Sequence, residues 1–144
     1  MKISDIVALN LWPDSKKTTT QKGISELEDL GYNLFYIGKN ADLYTCPGVE
    51  PKVLLVRSDR CSVFDIPLNL LIDGKGVSQT TISNNGAEFA KEAGIRTAIL
   101  SEKVDQTLNI APRCQLMELC KPLEAEVNGD VVQFELIFRN YLTG

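Results

Sequence analysis

The sequence contains no histidine. Imidazole is thereby removed as general base, as activator of a nucleophile and as zinc ligand, so Ser-His and Cys-His catalytic centres are excluded. Any chemistry has to run on Lys, Arg, Asp, Glu, Ser, Tyr or Cys. The C-x-x-C pair of a zinc knuckle or a thioredoxin-like site is missing as well, because none of Cys46, Cys61, Cys114 and Cys120 has that spacing. The cysteines read as reduced, small core hydrophobes of a cytoplasmic protein, and the opening residues, with Lys2 and Asp5 inside a short apolar stretch, lack the pattern of a secretory leader. No apolar run reaches the roughly 20 residues that span a bilayer, so no membrane is expected. Positive charge is also short: 15 Lys and Arg stand against 19 Asp and Glu, which leaves no basic field for a polyanion and argues against nucleic acid as a partner. A small anionic ligand needs only a few local donors and stays open. Neither a Walker loop nor G-x-G-x-x-G is present.

What the sequence does have is enough apolar content, 44% over 144 residues, for one globular domain with a core. Residues 1–31 read as an N-terminal extension, with the break at Pro13, a polar run, and a short helix over 20–30 that carries Ile24, Leu27 and Leu30 at threefold spacing before Gly31. From Tyr32 the pattern turns to strands. Residues 32–37 and 41–46 around Gly38-Lys39-Asn40 describe an antiparallel hairpin, and 52–57, with its run Val53-Leu54-Leu55-Val56, a buried central strand. An irregular stretch is expected over 58–76, then a helix over 78–93 stopped by Gly94, a strand over 95–100, connecting structure over 101–112 and a strand over 115–120. Asn128-Gly129 predicts a type I′ turn between strands at 123–127 and 131–138. The expected class is α+β, mainly an antiparallel sheet with one or two packed helices.

Several polar constellations stand out, each with a plain structural reading beside a functional one. Gly38-Lys39-Asn40 offers backbone N–H groups and an ammonium to a phosphate, although lysine in a hairpin turn also serves solubility. The run Ser58-Asp59-Arg60-Cys61-Ser62-Val63-Phe64-Asp65 is denser in polar groups than a loop needs, with local turn bonding as the alternative. Asp73-Gly74-Lys75-Gly76-Val77-Ser78 precedes a helix whose N-terminus attracts an anion, and capping by Ser78 explains the same residues. In the last predicted strand Glu135 and Arg139 share a face, as a surface ion pair or as a wall toward a ligand.

The order of these pieces resembles the SAICAR synthetase family: Gly38-Lys39, Asp42-Leu43-Tyr44, Ser58-Asp59-Arg60 with Ser62 and Asp65, Gly74-Lys75-Gly76, Gly94-Ile95-Arg96-Thr97, and the closing run from Phe134 through Glu135 and Arg139 to Thr143-Gly144. The resemblance covers the chain from about Leu34 to its end. It implies the N-terminal nucleotide-binding lobe of an ATP-dependent ligase that joins the imidazole carboxylate CAIR to aspartate. Phosphorylation turns the carboxylate into an acyl phosphate that the amine attacks. The implied ligands are ATP with Mg2+, CAIR and aspartate, and a second copy of the chain is the protein partner left open. By position, Gly38, Lys39, Met117 and Lys121 would meet ATP, while Asp65, Lys75, Glu135 and Arg139 would face the substrate.

Two departures accompany the match. The family usually has a second basic residue two positions after Lys39, where this chain has Ala41, and a proline where it has Gln133. The resemblance also implies that the serine following Thr-Gly and the acidic magnesium ligands of a second lobe fall outside residues 32–144, so that the 144 residues alone would be inactive. A non-catalytic nucleotide-binding or interaction module derived from the same lobe is the alternative reading.

Overall fold

The computed structural model describes residues 21–48, 52–63 and 66–119. Helix α1 (Gln21–Asp29) leads into strands β1 (Asn33–Ile37), β2 (Ala41–Thr45) and β3 (Lys52–Arg57). A second hairpin follows, β4 (Arg60–Val63) and β5 (Ile66–Leu71), then helix α2 (Lys75–Glu92), a 3-10 turn at Ala111–Arg113 and strand β6 (Cys114–Glu118). The main sheet runs β1-β2-β3-β6 and is antiparallel throughout, with β4 and β5 forming a separate two-stranded sheet. The α+β expectation holds.

Strand β3 is central because its apolar run suits a strand covered on both faces, and Val53, Leu54 and Val56 are all buried. The cross-strand register sorts the side chains into two faces. Tyr44, Leu54 and Leu116 lie in one row and Asp42, Val56 and Cys114 in the next, while Leu43, Leu55 and Gln115 share the opposite face with Thr45, Val53 and Met117. The first face carries the core: Leu27 of α1, with no exposed surface, packs with Tyr44, Leu54, Val56, Val104, Ile110, Cys114 and Leu116. Each large aliphatic side chain so enclosed contributes about 1.5–3 kcal/mol. Strand β1 is the sheet's edge, bulged between Leu34 and Tyr36, and all five of its residues are exposed.

Three expectations are corrected. Residues 58–76 are not irregular but hold the β4-β5 hairpin and the start of α2. Residues 95–100 make no strand: the segment runs beside β6 through one bridge, Ile99 to Met117, flanked by bonds from Leu100 N to Leu116 O (3.0 Å) and from Glu118 N to Ala98 O (2.8 Å). Helix α2 begins at Lys75 with Gly74 as its N-cap, so Ser78 lies inside the first turn, where its N–H donates to Gly74 O at 3.0 Å. The hairpin expected around Asn128-Gly129 lies outside the described residues, as do residues 1–20. Cys46, Cys61 and Cys114 are free thiols. Among the described residues no helix is long and apolar enough to cross a membrane.

Candidate functional site

The turn between β1 and β2 is closed by a bond from Gly38 N to Ala41 O at 2.8 Å. A Cβ on residue 38 would stand 2.7 Å from that same oxygen, so the turn accepts only glycine without moving. Behind it lies a polar cluster rather than apolar packing. Arg60 of β4 donates through Nη2 to Gly38 O at 2.7 Å, and its guanidinium grips the Asp42 carboxylate with both terminal nitrogens. Both side chains are only 1% exposed. Burial pushes the Asp42 carboxyl up from its ordinary value, against the pull of the Arg60 hydrogen bond and charge. Asn40 is fixed from two sides. Its carbonyl accepts from Ser58 N (2.9 Å) and Ser58 Oγ (3.0 Å), and its side-chain Oδ1 accepts from Lys75 Nζ at 3.0 Å. Lys75 Nζ also donates to Arg60 O at 2.6 Å, which ties the start of α2 to the same cluster. Lys39, at the tip, is exposed.

The start of α2 is already served by an anion of this chain. Asp59 accepts from Gly76 N at 2.8 Å through Oδ1, and through Oδ2 from Arg113 Nη2 at 3.0 Å. A Cβ on residue 76 would meet Arg57 O at 2.6 Å, so glycine there lets the helix close onto β3. The anion expected at this N-terminus is thus an internal carboxylate. On the sheet face away from the core, Arg57 donates through Nε and Nη2 to Gln115 Oε1 (3.2 and 3.0 Å) and through Nη2 to Ser83 Oγ of α2 (3.2 Å). Gln115 in turn donates to Asn84 Oδ1 at 2.7 Å. These bonds brace α2 against the sheet, and burial lowers the pKa of Arg57 from its ordinary value.

Of the residues singled out in the sequence, the fold brings Gly38, Lys39 and Lys75 to one corner. Met117 is apart from them, beside Val53 at the other end of β3. An extended ligand joining the two would run roughly 13 Å along the sheet and about 10 Å across it. Asp65, Lys121, Glu135 and Arg139 lie outside the described residues. The sequence placed Asn40 in the turn and Asp42 and Arg60 in the family motifs without showing that the three hold the turn together; the polar density after Ser58 was the available signal. A cavity of about 650 Å³ opens between α2, the segment 95–104 and β6, lined among others by Thr80, Asn84, Lys91, Arg96 and Gln115, and its lining includes none of Gly38, Lys39, Lys75 or Met117. Among the described residues no three Asp, Glu or Cys gather to hold a metal ion, and Asp42 and Asp59 are each engaged by an arginine. These residues do not fit a resident magnesium.

Comparison with known proteins identifies relatives of this fold. Two solved structures share the fold, a SAICAR synthase from Saccharomyces cerevisiae complexed with SAICAR and a second SAICAR synthase. Each has a TM-score of 0.53 and 20% identity, over 62% of this chain and 34% of its own. A phosphoribosylaminoimidazole-succinocarboxamide synthase of Neisseria meningitidis serogroup B is 33% identical over 119 residues, 82% of this chain and 39% of the relative. Its counterpart from Desulfotalea psychrophila is 29% identical over 120 residues, 78% of this chain and 37% of the relative. The chain therefore spans under two fifths of the length of the curated relatives it matches. The family model for SAICAR synthetase matches residues 34–144, from the first strand of the sheet onward, and on that match the chain belongs to the SAICAR synthetase family.

Proposed function

We propose that these residues form the ATP-binding lobe of an amide-forming ligase of purine biosynthesis, which joins CAIR and aspartate to give SAICAR, ADP and phosphate. The observation that carries the reading is the Gly38 turn, glycine-restricted and pinned through its carbonyls by Arg60 and Ser58, with Lys39 at the exposed tip. A turn so fixed keeps its outward donors in place, which is how a backbone loop holds phosphate oxygens without ordering itself on binding. The partly buried Leu43, Leu55 and Met117 on the neighbouring face offer a flat apolar surface for a purine. In the reaction the CAIR carboxylate takes the γ-phosphoryl group of ATP and ADP leaves. The aspartate amine then attacks the acyl phosphate, loses a proton, and expels phosphate. Lys75, Asp65, Glu135 and Arg139 are assigned to the substrate side. The described residues supply no magnesium site, so a magnesium ion accompanying the nucleotide would be held outside them. The 144 residues alone are accordingly expected to bind nucleotide without forming SAICAR.

Calorimetry with MgATP and MgADP tests the binding step. Heat of binding, with a rise in Tm that grows with nucleotide concentration, is the expected result. A folded protein with neither heat nor stabilisation at millimolar nucleotide overturns the reading.

A further inference from the structure

The β2-β3 register sets Ala41 directly opposite Arg57. Directly opposed residues project to the same face with Cβ atoms about 4.5–5.5 Å apart. Arg57 therefore rises beside the outgoing end of the glycine turn, on the face that also carries Leu43, Leu55 and Met117. Its neighbour Ser58 holds Asn40 O with both N–H and hydroxyl, which fixes the Arg57 backbone against the turn. The partners of its guanidinium are neutral: Gln115 Oε1 and Ser83 Oγ take Nε and Nη2, and Nη1 donates to nothing among the described residues. The other arginines among the described residues are each paired with a carboxylate, Arg60 with Asp42, Arg96 with Glu118 and Arg113 with Asp59. A half-buried cation with no carboxylate among the described residues, aimed by neutral acceptors, is the environment in which an incoming anion gains most. Ala41 sets only a methyl group opposite Arg57, whose guanidinium is held by Gln115 of β6 and Ser83 of α2.

We infer that Arg57 is a phosphate-binding residue of the nucleotide site, supplying from β3 the second side-chain cation that the Gly38 turn itself, with Ala41 after Asn40, does not carry. The inference rests on the proposed nucleotide site and adds a residue to it. The competing role is purely structural, a brace between the sheet and α2. The two differ in what they do to ligands with and without phosphates.

Calorimetry with MgATP and with adenosine is run on the parent chain, Arg57→Gln and the double variant Ala41→Arg/Arg57→Gln. Loss of one charge-assisted contact lowers ATP affinity about tenfold and leaves adenosine affinity unchanged. The double variant, with the cation moved across the strand pair, recovers most of the ATP affinity. If the parent binds ATP and Arg57→Gln binds it equally well, Arg57 is only a brace and the inference fails while the nucleotide site stands. If the parent binds no ATP, the nucleotide site fails and the inference with it. Should Arg57→Gln not fold, Arg57→Lys is read instead: ATP affinity within about threefold of the parent supports the charge role, and parallel losses for ATP and adenosine overturn it.

Discussion

Arg60 holds together three pieces of chain that are distant in sequence: its guanidinium ties Asp42 and the Gly38 carbonyl, and its own carbonyl receives Lys75. A carboxylate left alone at 1% exposure has no water to replace a lost arginine, so Arg60→Ala should cost about 3–5 kcal/mol of stability in urea unfolding. Arg60→Lys would keep the charge but lose the fork and should recover only part of this. An unchanged urea midpoint in Arg60→Ala would show that water reaches the pair. Lys39 sits at the opposite extreme. As an exposed residue it adds little to folding, and Lys39→Ala should leave Tm in place while weakening MgATP binding by about 1–3 kcal/mol. Equal affinity would make Lys39 an ordinary surface lysine. At this scale the sequence showed Gly38 and Lys39, because glycine before lysine at a hairpin tip is a local pattern. It did not show that Asp42 and Arg60 meet, because an ion pair between two separate sheets leaves no local mark.

Among the elements, β3 is found over the residues expected, since four successive apolar residues bounded by Pro51 and the polar Ser58-Asp59 leave little choice of limits. The β4-β5 hairpin escaped because its strands are short and rich in Ser, Asp and Pro, whose local bonding accounts for them equally well. The opposite error at 95–100 has the same origin. Ile95, Thr97, Ile99 and Leu100 have strand propensity, but the chain stays beside β6 only long enough for one bridge. Helix α2 starts three residues earlier than its apolar spacing suggests, because Asp59 and the close approach to Arg57 O set its beginning. Two of its glycines should therefore respond with opposite sign to alanine. Gly76→Ala drives a Cβ toward backbone and should destabilise by about 1–3 kcal/mol. Gly86→Ala, at an exposed position with nothing within 4 Å, should stabilise by about 0.5–1 kcal/mol. Thermal unfolding of the two variants checks this, and a shared sign would mean that α2 is not docked through Gly76.

For the molecule as a whole, the core joins α1, the sheet and the 100–111 segment, so residues from both ends of the described chain should unfold together. Its titrating members set an alkaline limit. Burial, with smaller contributions from Asp42 and Glu28, pushes Tyr44 from 10.0 to about 12, and burial pushes Cys114 from 9.0 to about 12. The folded state keeps both protons where the open chain loses them. Stability from these groups is thus complete below about pH 9 and drains away as pH rises toward about 12. Urea midpoints across the alkaline range should fall, and Tyr44→Phe should flatten the fall; an identical slope would place the ionising groups elsewhere. The sheet order has a consequence for the chain as it emerges from the ribosome. β1, β2 and β3 pair with sequence neighbours, but the second edge of β3 waits for β6, which begins at Cys114. At about 5–20 residues per second the nascent chain shows an open, apolar edge for roughly three to twelve seconds, long enough for a neighbouring copy on the same message to pair with Val53 to Val56 in place of β6.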